Sequence, residues 1–322
     1  MHASSIGSSP SVDVVVDNFR PGVMDRLDLG YESLRRTRPD VICVSMSVAG
    51  HSGPLRSMGG FASMGTAFAG LETLVGYEHE EPIGLINFGL GDLNLAINGA
   101  IGTLAALRHR DVTGEGQFVD VSMIESALSG LAEPILDYQL NGRLPGVQGN
   151  LHHAWFPHGT YACSGEERWV AVSVRNGSDW AGLCEAIGRT EWAADPSLAT
   201  VPGRRRRRAE IDGAVASWCA TQERDQAARR LLRAGVPAMP VLGIQERDGH
   251  EHFRARGLVL DHDSPGGEHS HVYATPWLFS DTPARVRCPA PVLGQDDDYV
   301  LRDLLGLAGD EIDRLVREEV VR

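Results

Sequence analysis

The sequence predicts an α/β protein built on a parallel sheet. Three observations carry this. Strand-like runs alternate with helical stretches from Val12 to Asn141. The runs Val12–Val16 and Val41–Val48 are mostly apolar, as strands covered on both faces are. A long apolar helical stretch precedes a third strand-like run, Gln117–Met123, and helical crossovers are what join parallel strands.

Val12–Val16 is β-branched and ends in Asp17-Asn18-Phe19-Arg20-Pro21-Gly22, a cluster of turn formers. Val23–Leu27 and Tyr31–Arg38 read as helices stopped by Pro39, followed by the strand Val41–Val48. Loops leaving the carboxyl ends of parallel strands are where ligands bind, which singles out Asn18–Gly22 and Ala49–Gly60. The second loop is rich in glycine, which suits either close backbone approach to a ligand or a tight connection into a helix over Phe61–Val75.

Phe88–Arg110 is apolar or small on nearly every side and predicts a buried helix. Asp92 stands at its first turn, where the helix dipole and free N–H groups favour a carboxylate. That position suits a nucleophile, and equally a helix cap. His109–Gly116 reads as a turn, then come the strand Gln117–Met123 and a helix over Ile124–Asn141. Gly142–Pro157 lacks a period and reads as a linker.

Beyond it, Gly159–Cys163, Trp169–Val174 and Ala238–Leu242 are strand-like, with helices at Asp179–Ile187, Arg208–Thr221 and Gln222–Ala234. Gly257–Phe279 alternates as sheet does, and Tyr299–Leu307 and Asp310–Val320 read as two closing helices.

A length of 322 residues accommodates two domains, and a net charge of -13 argues against a general nucleic-acid or membrane-surface binder. The five cysteines form no C-x-x-C, which favours a reduced cytoplasmic interior over a disulfide framework or a zinc site. No uninterrupted apolar run reaches about 18 residues, and Met1–Pro10 is too polar for a signal core. The arginine run Arg204–Arg208 lacks interleaved aromatics and reads as the solvated start of a helix. His152, His153, His158, His250, His252, His262, His269 and His271 show no metal-binding helical spacing and read as surface and loop residues. Phosphate-loop and nucleophile-elbow motifs are missing.

Several stretches together resemble the class III CoA-transferase family (CaiB/BaiF type), in family order along nearly the whole chain. They are Val16–Leu27 (VDNFRPGVMDRL), Gly50-His51-Ser52-Gly53-Pro54, Gly91-Asp92 with its small-residue helix, Thr113–Met123 (TGEGQFVDVSM) and Ala234-Gly235-Val236-Pro237-Ala238. The resemblance implies an α/β fold with a Rossmann-like large domain, a second, smaller α/β domain and an interlocked homodimer. It places the CoA-binding domain at 1–150, the small domain at 151–286, and a C-terminal return to the large domain at 287–322. Asp92 matches the catalytic aspartate, and Asn18, Phe19, Arg26 and Leu27 match contacts to CoA. Phe61 falls where relatives set an aromatic or histidine beside the thioester.

The implied activity is movement of CoA from an acyl-CoA thioester to a small carboxylic acid, with CoA and acyl-CoA as substrates and no tightly bound cofactor or metal. Backbone N–H groups at Gly89 and Gly91 are candidates to stabilise oxyanions. A racemase-type relative acting on 2-methylacyl-CoA needs a second acid–base group, which Phe61 cannot supply; the nearest histidine is His51. The family also carries a strand-helix segment ahead of the part matching Val12. The expectation left open beside the enzyme is therefore a catalytically inactive CoA-binding or partner subunit, or a chain completed by a second polypeptide.

Overall fold

The computed structural model describes residues 12–85, 89–263, 269–286 and 291–321. Met1–Pro10, Phe88, Cys288 and the side chain of His262 lie outside the described residues. The chain divides between Asn150 and Leu151 into two compact units.

The first unit holds β1 (Val14–Asp17), α1 (Val23–Arg26), α2 (Tyr31–Thr37), β2 (Ile42–Ser47), α3 (Ala62–Phe68), α4 (Leu90–Thr113), β3 (Phe118–Ser122), α5 (Met123–Ser129) and α6 (Ala132–Asn141). The strands pair in parallel in the order β1-β2-β3, with Val15 opposite Cys43 and Cys43 opposite Phe118. Central β2 is covered on both faces: Cys43 packs with Leu34 and Val41 on one, Ile42 and Val44 with Ala106 on the other. That is why its sequence is so apolar.

Helix α4 departs from the expectation of full burial. Gly91, Leu95, Gly99 and Ala106 face inward, while Leu93, Ile97, Ile101 and Leu104 lie 53–67% exposed on the other side. A three-stranded sheet covers one side of a helix, and no described residue of this unit covers the opposite one. The inner face is held close by glycine: a Cβ at Gly99 would stand 2.5 Å from the Met46 sulfur. Length and a mean hydropathy of 1.3 over its most apolar window would suit a membrane span, although the same helix serves as sheet cover here.

Boundaries moved elsewhere for local reasons. The helix runs through His109 to Thr113, where a turn was expected, and ends at Gly114 with φ 78°. The single helix expected over Ile124–Asn141 breaks between Ser129 and Ala132, and that over Phe61–Val75 ends at Phe68, resuming as a 3₁₀ turn at Leu71–Leu74.

In the second unit β4 (His158–Ala162), β5 (Trp169–Ser173) and β6 (Ala238–Val241) form an antiparallel sheet. Helices α7 (Gly177–Ala186), α8 (Thr190–Ala193), α9 (Val201–Arg206), α10 (Arg208–Ala220) and α11 (Arg224–Arg233) accompany it. One continuous core unites Val170, Val172, Trp180, Leu183, Ile211, Val215 and Leu231. Cys163, Cys184 and Cys219 are free thiols inside that core, and burial pushes Cys184 up to about 11 and Cys219 to about 12. A hairpin, β7 (Val259–Asp263) with β8 (His269–Tyr273), follows.

The arginine run is not a solvated helix start. Arg204 is fully buried; its Nε donates to the Phe156 carbonyl at 2.8 Å, its Nη1 to that of Leu198 at 3.1 Å, and the guanidinium lies 5.1 Å over the Trp180 ring. Arg207 pairs with Asp195 at 2.9 Å and Glu210 at 2.7 Å. A linear run of five identical residues is split by helical geometry into inward and outward members.

Candidate active site

Three loops meet at the carboxyl ends of the parallel strands, as sheet topology dictates for a ligand crevice. Asn18, Phe19 and Arg20 follow β1, Val48 and Met58–Phe61 come after β2, and Met123 follows β3; together with the first turns of α4 they enclose a cleft of about 610 Å³. Asp92, Asn18, Phe19 and Phe61 all line it. Arg26 and Leu27 do not. They stand, exposed, at the end of α1, four residues beyond the loop that leaves Gly22 with φ 82°.

Asp92 is the third residue of α4, and its carboxylate is exposed rather than buried. The expected dry setting is thus absent from the single chain, because the outer side of α4 is open. The capping alternative also falls: the N-cap is Gly89, and no side chain caps the helix. The carboxylate remains within the cleft, in the first helical turn, where negative charge is favoured.

Close packing aims it. A Cβ at Gly91 would stand 2.9 Å from the carbonyl oxygen of Ala62 and 3.1 Å from its Cα, so only glycine lets α4 approach α3 at this point. Gly91 therefore has a packing duty beside its candidate oxyanion role. Glu72 ties the approach to α4 by accepting from the hydroxyl of buried Thr66 and from the backbone N–H of Leu85.

Two lining groups were not singled out by the sequence. Among the described residues Arg20 carries the only cationic side chain lining the cleft, and it lies across Gly59, where a Cβ would meet its guanidinium at 2.2 Å. Ser47, the last residue of β2, is 5% exposed and lines the same cleft. An extended run of apolar residues concealed the serine.

His51 belongs to another place. It lines a separate cavity of about 330 Å³ with Tyr31 and Phe118, and among the described residues no histidine lines the cleft that holds Asp92. Its Nε2 lies 2.8 Å from the Ser45 hydroxyl, which donates its one proton to Asp17 at 3.1 Å; Nε2 therefore carries the ring proton. The ring meets Phe118 edge-on at 5.1 Å, and the His51 backbone N–H donates to Asp120 at 2.8 Å.

Among the described histidines, His269 and His271 come together with Asp261 across the β7–β8 hairpin, their ligand atoms within 4.8 Å of one another. All three are exposed or partly so, and Arg254 already pairs with Asp261 at 3.4 Å.

The model of CoA-transferase family III matches residues 10–297. The chain belongs to CoA-transferase family III. It is 33% identical over 313 residues to the succinyl-CoA–D-citramalate CoA-transferase of Chloroflexus aurantiacus, covering 97% of this chain and 77% of that protein. It is 34% identical over 310 residues to the succinyl-CoA–L-malate CoA-transferase alpha subunit of the same organism, covering 96% and 72%. The crystal structure of a CaiB/BaiF family protein from Brucella suis superposes with a TM-score of 0.80 at 28% identity, over 91% of this chain and 75% of that one. The parallel sheet with its helices is thus the family fold, and the enzyme class is CoA transfer between acyl-CoA thioesters and carboxylic acids.

Proposed function

We propose that this family III enzyme moves CoA from an acyl-CoA to a small dicarboxylic acid, with Asp92 as covalent nucleophile. The carrying observation is the placement of Asp92 at the carboxyl-end cleft among Asn18, Phe19 and Phe61. The names of the Chloroflexus relatives support succinyl-CoA as donor and a four- or five-carbon dicarboxylate as acceptor.

In the first step an Asp92 carboxylate oxygen attacks the thioester carbonyl carbon, the C–S bond breaks, and a mixed anhydride and CoA thiolate result. The thiolate attacks the aspartyl carbonyl, releasing the first carboxylate and leaving an aspartyl-CoA thioester. The acceptor carboxylate attacks that thioester to give a second anhydride, and CoA thiolate resolves it into the new acyl-CoA and free Asp92. Each step exchanges one activated acyl bond for another, so the activation is conserved only while water is excluded.

Asp92 is exposed in the single chain, so exclusion of water needs a cover. A second copy of this chain over the apolar side of α4 supplies one, consistent with Leu93, Ile97, Ile101 and Leu104 lying open along the helix that carries Asp92. In the same reading residues 1–150 bind CoA through Asn18, Phe19, Arg26 and Leu27, with 151–286 the small domain and 287–322 returning to the first. Proton abstraction by a racemase is the weaker reading, since the cleft lining holds Phe61 and, among the described residues, no histidine.

The test is mass analysis after incubation with succinyl-CoA, where a hydroxylamine-sensitive adduct on Asp92 is expected, absent in Asp92→Ala. An adduct mapping to another residue, or full turnover by the variant, overturns the assignment. Solvent deuterium at the substrate α-carbon would support the racemase instead.

A further inference from the structure

The β7–β8 hairpin brings three metal-ligating side chains together at one place on its surface. Residues two apart on a strand share a face, so His269 and His271 of β8 lie on the same side, and antiparallel register sets Asp261 of β7 directly opposite His271. The ligand atoms of the three all lie within 4.8 Å of one another. Asp261 Oδ1 is 2.9 Å from Nδ1 of His271 and 3.8 Å from Nε2 of His269. Ligand atoms held at about 2.0–2.1 Å from a tetrahedral zinc ion stand about 3.4 Å apart, between those two separations. Helical i, i+4 spacing is missing because this cluster is built on strands, where the repeat is two.

The donor set selects the ion. Two imidazole nitrogens and one carboxylate oxygen suit a borderline divalent cation, whereas calcium and magnesium take oxygen ligands. One carboxylate beside two neutral rings also supplies the negative charge that attracts a cation. Arg254 leaves the converging oxygen alone: its Nη1 donates to the other carboxylate oxygen, Oδ2, at 3.4 Å, and its Nε donates to the Asp248 carbonyl at 2.8 Å. A hydrogen bond to the part of a ligand that does not touch the metal fixes the orientation of the part that does. The three side chains are between 32% and 63% exposed, which opens the fourth tetrahedral position to water.

We propose that Asp261, His269 and His271 bind one Zn²⁺ per chain, with water as the fourth ligand, and that the ion clips β7 to β8. The ligating atoms are Asp261 Oδ1, His271 Nδ1 and His269 Nε2, so neutral His271 carries its ring proton on Nε2 when the ion is bound. None of the three lines the cleft with Asp92, and zinc binding here is independent of Asp92 acting as nucleophile.

The test is a titration of the full chain with Zn²⁺ against a chromophoric chelator, using protein purified without a histidine tag and freed of metal by dialysis. One equivalent should bind. His269→Ala, His271→Ala and Asp261→Asn should each weaken that binding by at least about 10-fold, with His252→Ala as an unchanged control. Co²⁺ as a spectroscopic probe should give the visible absorption of a tetrahedral nitrogen–oxygen site without a thiolate charge-transfer band, which separates this site from binding by cysteine. The His269→Ala/His271→Ala double variant should lose that spectrum while the melting temperature of the metal-free protein stays level, as it does for exposed substitutions. If the double variant binds one equivalent as tightly as the unaltered protein, the ion belongs to other groups and the proposal is overturned. Lack of saturable binding by the unaltered protein, or a Co²⁺ spectrum carrying the thiolate band, overturns it equally.

Discussion

The two units bury their apolar residues in opposite ways. The second gathers nineteen buried residues, from Phe156 to Ala238, into one core and closes its sheet with its own helices. The first has only small clusters of buried residues on either side of β2 and leaves the long side of α4 open. A unit whose longest helix shows Ile97 and Ile101 to solvent is built to be covered, and the cleft with Asp92 lies in that unit.

The sharpest way to break this contrast is at Asp92. Asp92→Ala should lower CoA transfer by at least about 10⁴-fold with unfolding midpoint unchanged, measured by a coupled rate assay and urea titration. A large loss of stability would show that the first unit depends on this carboxylate structurally.

The mirror case is Arg204, which has no part in the cleft. Arg204→Met leaves the Phe156 and Leu198 carbonyls without their buried donor, and should cost about 3 kcal/mol in urea unfolding while sparing the rate of whatever protein remains folded. Gly91→Ala falls between them. Its Cβ meets backbone at Ala62, so it should cost about 1–3 kcal/mol and also slow transfer by moving the first turn of α4.

On the open side of α4, Ile97→Glu with Ile101→Glu should change the unfolding of the isolated chain by less than about 0.5 kcal/mol. Sedimentation should then show dissociation of a dimer present without the substitutions. If mass is unaltered, the second copy does not cover this face.

The smallest effect is a pH dependence confined to the second unit. Glu246 accepts from Arg224 at 2.8 and 2.9 Å and from the Gly243 N–H at 2.8 Å, and also pairs with Arg168. These contacts hold its carboxyl down at about 2 from an ordinary 4.5. A depressed carboxylate contributes stability that is complete above about pH 4.5 and is lost as pH falls toward 2. Glu246→Gln should flatten the acid limb of the unfolding midpoint over that window, as read by circular dichroism.

Much of the fold was legible because periodicity and breakers act locally. The strand at Val41–Val48 reads from its own apolar run, and observed β2 spans Ile42–Ser47. The end of α4 was misplaced because a charged segment, His109-Arg110-Asp111, looks like a turn until Gly114 is recognised as the left-handed stop. The hairpin that brings Asp261 opposite His271 has no linear signature at all, since cross-strand pairing joins residues by register rather than spacing.

The sequence by itself determined the alternation of strands and helices, the family, and a lone acid at the head of an apolar helix, because these depend on neighbours along the chain. Only the tertiary structure decided that one side of that helix stays open, that Arg204 turns inward, and that His51 and Asp92 occupy different cavities. Those outcomes depend on how wide a sheet is beneath a helix and on which side chains lie across from one another. Both are set by packing between segments remote in the chain.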